Sequence, residues 1–163
     1  KDRNGLNLGE AAACMILSAV SESKNSNGWI YEIGSIHNDA NHISGPSRTA
    51  EGSYRCLLDC LRGIDTKDLA FISVHGTGTV YNDDMETLAL HRAELESKPI
   101  LALKAYYGHT LGAAGVLETI MSMQAIEECM LPTTCTCIHG NSFIKMLSGF
   151  GGCNAAVRWR LEK

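Results

Sequence analysis

The sequence contains no apolar run long enough to cross a membrane and no excess of basic charge. A helix that spans a bilayer needs about 20 consecutive apolar residues, and no such run occurs in this chain. Lysine and arginine total 14 against 18 aspartate and glutamate residues, which gives a net charge of -4 and an isoelectric point near 5.8. Nucleic acids and anionic membranes are recognised by clustered basic side chains. We therefore expect no nucleic acid and no membrane among the partners of this chain.

The sequence also lacks an initiator methionine and a secretory signal pattern. It begins with KDRNGLNLGEAAACMILSAV, so we expect the chain to be a piece of something longer. The seven cysteines are an odd number, and most of them lie in apolar or helical stretches. Without a secretory signal, reduced thiols are the simpler interpretation. We predict a cytoplasmic protein with reduced cysteines.

Length and apolar content are sufficient for the core of one ordinary domain, which we expect to span residues 1–163. Strand signals and helix signals alternate along it. The predicted strands are Glu10 to Val20, Trp29 to Ile36, Leu69 to Val74, Pro99 to Ala105, Phe143 to Leu147 and Ala155 to Leu161. The first is predicted to be buried on both faces. The last is predicted to be half exposed, because Arg158 and Arg160 alternate with apolar residues.

Three helices are predicted between these strands. The first lies between Thr49 and Arg62, where the apolar residues follow the spacing of an amphipathic helix. Its predicted inward face consists of Tyr54, Leu57, Leu58 and Leu61. Asp83 and Glu86 fit a capping box for a second helix that runs to about Leu95. A third, long helix is predicted from about Leu111 to Cys129.

Two histidines come just after predicted strands, each in a glycine-containing loop that precedes a helix. His75 opens the loop of VHGTGT, and His109 lies in KAYYGHTLGAAG. Paired imidazoles at strand ends, beside glycine-rich backbone, can stabilise the charge that develops on a bound carbonyl. The pattern predicts acyl transfer or carbon–carbon bond formation on a thioester. We expect the two rings to converge at a cleft bordered by the glycine turn Gly149 to Gly152.

Five motifs resemble, in order and spacing, the C-terminal half of a β-ketoacyl-[acyl-carrier-protein] synthase. They are Arg3-Asn4-Gly5 with Gly9-Glu10-Ala11, Asn41-His42-Ile43, His75 to Thr79 with Asn82-Asp83 and Glu86-Thr87, Lys104 with Gly108 to Gly115, and Gly149 to Gly152 with Asn154. The resemblance implies an α/β thiolase-like fold, of which this chain is the C-terminal half, with a layered mixed sheet and helices. The active site of the family lies between two halves, and the N-terminal half with the nucleophilic cysteine is absent here.

The resemblance also implies a reaction and a set of site residues. Family members load an acyl chain on a cysteine, decarboxylate malonyl-carrier and condense the resulting enolate with the acyl thioester. His75 and His109 correspond to the histidines that bind the malonyl thioester carbonyl, and Lys104 and Glu118 resemble the charged pair that organises this site. The implied substrate-binding residues are Thr77 and Thr79 on the pantetheine arm, and Phe150 with its neighbours Gly149 and Gly151. Phe150 matches the gating phenylalanine whose amide helps to form the acyl oxyanion hole.

Partners follow from the same resemblance. They are an acyl carrier protein with its phosphopantetheine arm, the N-terminal half of the same enzyme, and further copies in a homo-oligomer, with no cofactor and no metal. None of the seven cysteines matches the family's nucleophile motif. We therefore expect the isolated chain to be inactive in condensation. Met146-Leu147-Ser148 replaces the customary Asn-Ser-Phe, and the connection before it is short, which leaves the preferred chain length open.

Other interpretations remain at this point. The parent protein is alternatively a non-catalytic partner of the chain-length-factor kind, or a thiolase-fold acyltransferase that uses coenzyme A; the presence of both His75 and His109 favours the synthase. Cys135-x-Cys137-x-His139 has fewer ligands than zinc sites usually need. Asn82, Asp83 and Glu86 are alternatively ligands of a structural cation, although the capping box explains two of them. Thr77 and Thr79 alternatively only satisfy hydrogen bonds of loop amides. Phe150 is alternatively an ordinary core residue.

Overall fold

The fold is built around a mixed five-stranded sheet. The computed structural model describes residues 5–19, 28–131 and 136–162. The strands, in chain order, are β1 (Gly28–Asn38), β2 (Leu69–Ser73), β3 (Ile100–Leu101), β4 (Met130–Leu131), β5 (Thr136–Cys137), β6 (Ser142–Gly149) and β7 (Cys153–Glu162). The order across the sheet is β1-β7-β6-β2-β3, whereas β4 and β5 form a separate antiparallel pair. β2 runs parallel to β3 and β6, and β7 runs antiparallel to β1 and β6.

Helices cover both faces of the sheet. They are α1 (Glu51–Cys60), α2 (Val80–Arg92), α3 (Lys104–Tyr107) and α4 (Ala114–Glu127). One core joins α1 and α2 to the sheet face that carries Ile72 and Ile144, and the other joins α4 to the face that carries Phe71 and Phe143. The predicted layering of a mixed sheet with helices is confirmed. In the part of the chain that is described, no helix has the length and hydropathy of a bilayer-spanning segment.

β2 is the central element that delivers the first histidine. All five of its residues are buried, which agrees with the prediction from the LAFISV run. Its side chains alternate between the two cores: Ile72 packs in the α1 and α2 core, and Phe71 stacks on Phe143 with ring centroids 5.4 Å apart. A strand that is held on both faces and by both neighbours has little freedom. The loop that starts at its end therefore begins from a fixed point.

Two predicted strands differ from the structure. The prediction of a buried strand from Glu10 to Val20 is wrong for residues 10–19, which form no ladder and expose Ile16 to 91%; Val20 lies outside the described residues. Apolar content alone predicts burial, but no described strand pairs with this segment. The strand predicted from Pro99 to Ala105 is confined to Ile100–Leu101, because the chain turns into α3 at Lys104.

The two helices on the same face also deviate from their predicted patterns. In α1 the buried residues are Gly52, Ser53, Cys56, Leu57 and Cys60. Of the predicted inward face, Leu57 is buried, Tyr54 and Leu61 are partly buried against the same core, and Leu58 is 41% exposed. Small side chains at the other buried positions let the helix approach the sheet closely. α2 begins at Val80, three residues before the predicted start, and ends at Arg92, before Leu95. The capping box of Asp83 and Glu86 is therefore wrong.

β7 was predicted to be half exposed, and that prediction is also wrong. Arg158 is only 8% exposed and donates to Glu32 Oε2 at 2.7 Å, to the carbonyl of Cys60 at 2.7 Å and to the carbonyl of Arg62 at 3.0 Å. Trp159 on the other face is 6% exposed. α1 covers the arginine face, so the guanidinium satisfies the last carbonyls of the helix while it pairs with Glu32.

Replacing Arg158 with methionine tests this role in stability. Arg158→Met leaves the two helix-end carbonyls without their buried donor, and we expect the free energy of unfolding to fall by about 2–4 kcal/mol. Arg160→Met is the matched control on the same strand: its side chain is 34% exposed and it also binds Glu32. We expect the control to cost less than about 1 kcal/mol. Urea unfolding followed by circular dichroism measures both, and equal losses would contradict the assignment.

Candidate active site

The two predicted histidines meet at one cleft. The ring centroids of His75 and His109 lie 5.1 Å apart with the rings nearly perpendicular, at 82°. Both line a cleft of about 550 Å³, and the turn from Ser148 to Phe150 lines the same cleft. His75 is 6% exposed, whereas His109 is only partly buried. The convergence expected from the sequence is confirmed.

The His109 loop is held by backbone contact with the segment near the start of the chain. His109 N donates to Asn7 O at 2.7 Å, and Gly9 N donates to His109 O at 3.0 Å. Glycine is required on both sides of this contact. A Cβ on Gly9 would lie 1.9 Å from the Tyr107 carbonyl oxygen, and Gly108 has φ of +76° with no room for a Cβ beside Leu8.

Hydrogen bonding fixes the tautomer of His109. Its Nδ1 accepts the backbone N–H of Leu111 at 3.0 Å, so a neutral ring carries its proton on Nε2. That proton is available as a donor in the cleft. Nδ1 of His75 is buried and has no hydrogen-bond partner among the described residues.

Burial and nearby cations keep both rings neutral. Burial, followed by the ammonium groups of Lys104 and Lys145, lowers the pKa of His75 to about 2. The pKa of His109 is also lowered, first by burial and then by Lys104. Neutral imidazoles donate one N–H each. The site therefore presents hydrogen-bond donors rather than imidazolium ions near neutral pH.

The predicted ion pair of Lys104 and Glu118 is present and dry. Their side chains are 2% and 0% exposed, and Lys104 Nζ lies 2.6 Å from Glu118 Oε1. Lys104 Nζ also donates to the His75 carbonyl oxygen at 2.6 Å. The pair thus connects α3 and α4 with the backbone of the first histidine.

Two further charged residues belong to this site: Lys145, which sequence analysis missed, and Glu86, which it assigned to a capping box. Lys145 of β6 is 1% exposed and donates to Glu118 Oε2 and, at 2.9 Å, to the carbonyl of Val74. Glu86 of α2 accepts the N–H of His75 at 2.6 Å and that of Gly76 at 2.7 Å. Burial raises the pKa of Glu86, and burial lowers the pKa of Lys145 to about 8. A lone charge within the apolar run Phe143 to Leu147 was the available signal for Lys145.

Four of the five predicted substrate-binding residues line the same cleft, whereas Gly151 does not. The hydroxyls of Thr77 and Thr79 are hydrogen-bonded to each other at 2.9 Å, and both threonines line it. Phe150 is 84% exposed at its rim, so it is not a core residue. Gly149 lines the cleft beside it. Gly151 has φ of +80° and donates its N–H to the Ile43 carbonyl at 2.7 Å, which fixes the turn.

Metal ligands do not gather at this site. Among residues 5–19, 28–131 and 136–162, no group of three or more histidine, cysteine, aspartate or glutamate side chains is arranged to hold a metal ion. Glu86 also accepts from Asn82 Nδ2 at 2.9 Å, so its carboxylate serves the loop rather than a cation. In the motif Cys135-x-Cys137-x-His139, which was considered as a zinc site, Cys135 lies outside the described residues.

Neutralising Glu118 tests the buried charge cluster. In Glu118→Gln both lysines lose their carboxylate, and we expect the free energy of unfolding at pH 7 to fall by about 3–5 kcal/mol. The loss should shrink at pH 9, because the folded variant releases lysine protons that the unfolded chain keeps, and stability then rises with pH. Glu128→Gln, at the exposed end of the same helix, is the control and should change stability by less than about 0.5 kcal/mol. Urea unfolding at both pH values checks this; an equal loss at pH 7 and pH 9 would refute it.

The chain is similar to curated β-ketoacyl synthases in sequence. Residues 28–137 match the family described as Beta-ketoacyl synthase, C-terminal domain. The chain is 37% identical over 142 residues to 3-oxoacyl-[acyl-carrier-protein] synthase 2 of Coxiella burnetii, a match that covers 82% of this chain and 34% of that protein. The chain therefore spans about a third of the length of the curated relatives it matches.

Solved structures agree with the sequence comparison. A β-ketoacyl synthase from Burkholderia phymatum superposes with a TM-score of 0.70 at 27% identity, covering 80% of this chain and 36% of that one. A ketosynthase in complex with its chain length factor, from Xenorhabdus doucetiae, gives a TM-score of 0.74 at 23% identity, covering 85% and 40%. The predicted thiolase-like α/β fold is confirmed. The chain belongs to the β-ketoacyl synthase family and contains its C-terminal domain.

Proposed function

We propose that this chain supplies the malonyl-binding half of a 3-oxoacyl-[acyl-carrier-protein] synthase that carries out decarboxylative Claisen condensation. The observation that carries the proposal is the pair of neutral imidazoles, 5.1 Å apart between ring centroids, at one cleft. The relative from Coxiella burnetii is named 3-oxoacyl-[acyl-carrier-protein] synthase 2, and that name supports the substrate class. A fixed pair of neutral donors suits a reaction that develops charge on an oxygen.

The proposed chemistry follows from where charge appears. Loss of carbon dioxide from a malonyl thioester leaves an enolate whose negative charge lies on the thioester oxygen. His109 donates to that oxygen through its Nε2 proton, and His75 is the second donor. Donors that are already oriented need no reorganisation when the charge develops, which lowers the barrier by several kcal/mol. Lys104 and Glu118 act indirectly, because they hold the His75 backbone.

The remaining cleft residues have proposed roles in binding. Thr77 and Thr79 contact the pantetheine arm of the carrier protein, and Phe150 with Gly149 and Gly151 borders the acyl group. The nucleophilic cysteine comes from an N-terminal half that packs on this single domain. The complete protein is proposed to be cytoplasmic and homo-oligomeric.

A non-catalytic partner of the chain-length-factor kind is the second candidate. This candidate is supported by the structural similarity to a ketosynthase in complex with its chain length factor. A subunit that only shapes a pocket has no need of two neutral imidazoles held by buried ion pairs. The synthase therefore remains the leading proposal.

Substituting the histidines in the full-length protein tests the catalytic roles. We expect His75→Ala or His109→Ala to lower the rate of malonyl decarboxylation about 100- to 1,000-fold each, because each change removes one donor to the enolate oxygen. Acyl loading should be largely intact. His91→Ala, an exposed histidine at the end of α2, is the control and should leave both steps unchanged. Release of labelled carbon dioxide and mass spectrometry of the acyl-enzyme measure the two steps; an equal loss of both would count against the assigned roles.

Incubating the isolated chain with an acyl-carrier thioester tests where the nucleophile lies. We expect no acyl adduct by mass spectrometry. Burial raises the pKa of Cys56 and raises that of Cys60 to about 12, which keeps these thiols protonated and unreactive. Cys153 lines the cleft and is exposed, so Cys153→Ser is the control that identifies any adventitious adduct. Stoichiometric acylation that persists in this variant would overturn the proposal.

A further inference from the structure

The backbone around His75 is held by charged side chains from three elements, α2, α3 and β6. Val74 follows β2 directly, and its N–H makes the last hydrogen bond to the neighbouring strand β3, donating to Leu101 O at 3.0 Å. Beyond that point Lys145 binds the Val74 carbonyl, Lys104 binds the His75 carbonyl, and Glu86 accepts the amides of His75 and Gly76. Ionic hydrogen bonds thus replace the ladder where the sheet stops.

Burial of the Lys145 ammonium at this position carries a large desolvation penalty. Lys145 lies in the middle of β6 between apolar neighbours, opposite Ser73 on one side and Val157 on the other. Ile144 and Met146 beside it are buried. Glu118 is already paired with Lys104, so a second ammonium shares one carboxylate. Buried ion pairs are often no more stabilising than apolar residues of similar size. Stability alone therefore gives a poor reason for this lysine.

We propose that Lys145 is a positioning residue for His75, which it orients by binding the preceding carbonyl and beside which it places a second buried positive charge. This role rests on the proposed function of the histidine cleft. Lys145 is not among the residues that the family motifs indicate. The proposed role gives a reason why two lysines, Lys104 and Lys145, share the single carboxylate of Glu118. Lys145 itself does not line the cleft and contacts no reacting atom.

The electrostatic part of this role involves every charged group that faces the ring. These are Glu86 from α2, Lys104 from α3, Glu118 from α4, Lys145 from β6 and the neighbouring His109. Both lysines lower the pKa of His75, and both also lower that of His109. Glu118 acts in the opposite direction on His109. Removing one ammonium shifts this balance toward protonation of the imidazoles.

Nuclear magnetic resonance of ¹⁵N-labelled histidine in this chain tests the proposal. In Lys145→Met we expect the ring nitrogen signals of His75 to move and the pKa of His109 to rise by about half a pH unit or more. Lys98→Met is the matched control, since Lys98 Nζ donates to the Leu69 carbonyl at 3.0 Å at the opposite end of β2. The control should leave both histidines unchanged. Histidine signals and titrations in Lys145→Met that coincide with the wild type would overturn the proposal.

A second measurement needs no substitution, so it tests the proposal even if Lys145→Met fails to fold. Burial lowers the pKa of Lys145 to about 8, so raising the pH of the wild-type chain from 7 to 9.5 removes its proton. His75 does not titrate there, yet its ring signals should follow the lysine with a midpoint near pH 8. Flat His75 signals across this range would contradict the proposal. Neither measurement depends on synthase activity, so failure of the proposed function, seen as unchanged decarboxylation in His75→Ala, is distinguished from failure of this inference.

Discussion

One buried carboxylate connects the parts of the structure that form the cleft. Glu118 projects from α4 and binds Lys104 of α3 and Lys145 of β6. Lys104 also donates to the carbonyl of His75, and Lys145 donates to the carbonyl of Val74. An uncompensated charge at any of these positions is costly, because all three side chains are excluded from water. The three groups therefore stay together or the local structure is lost. The geometry of the cleft depends on that constraint, because it holds the backbone that carries His75.

The electrostatic consequence is that the cleft offers neutral donors next to buried cations. An imidazolium would bind an anionic ground state as well as the transition state, and uniform binding of that kind does not accelerate the chemical step. A neutral N–H interacts weakly with a thioester carbonyl and more strongly with the enolate oxygen, so its contribution appears when charge develops. Burial, and after it the two lysines, enforces this choice by lowering the pKa of His75. Charge and geometry thus favour the same chemistry.

Much of the fold was predictable from local sequence, and the failures have identifiable physical causes. β2 and α4 were predicted because continuous apolar runs and strong helix signals are local properties. The face of α1 was predicted only in part. Leu57, Tyr54 and Leu61 pack in or against the core as expected, whereas Leu58 is exposed. Cys56 and Cys60 pack there as small apolar residues that a count of large side chains overlooks. Glu86 was assigned to a cap because its spacing from Asp83 fits one, but a tertiary contact with the His75 amide outcompetes local capping. Lys145 was missed because its partner lies on another element, and periodicity carries no information about charge pairing across a sheet.

The distribution of apolar surface supports the proposal that the cleft is half of a larger site. Leu6, Leu111 and Phe150 line it and are exposed to 44%, 61% and 84%. Ile16, in the extended segment that follows the contact with His109, is 91% exposed. Oriented donors stabilise developing charge best when water is excluded, and here the deep side is dry while the rim is open. A surface with these apolar residues at the mouth of a polar pocket suits a second layer of protein laid across it. That layer is the place where the proposed N-terminal half would bring its nucleophile toward the imidazoles and complete the exclusion of water.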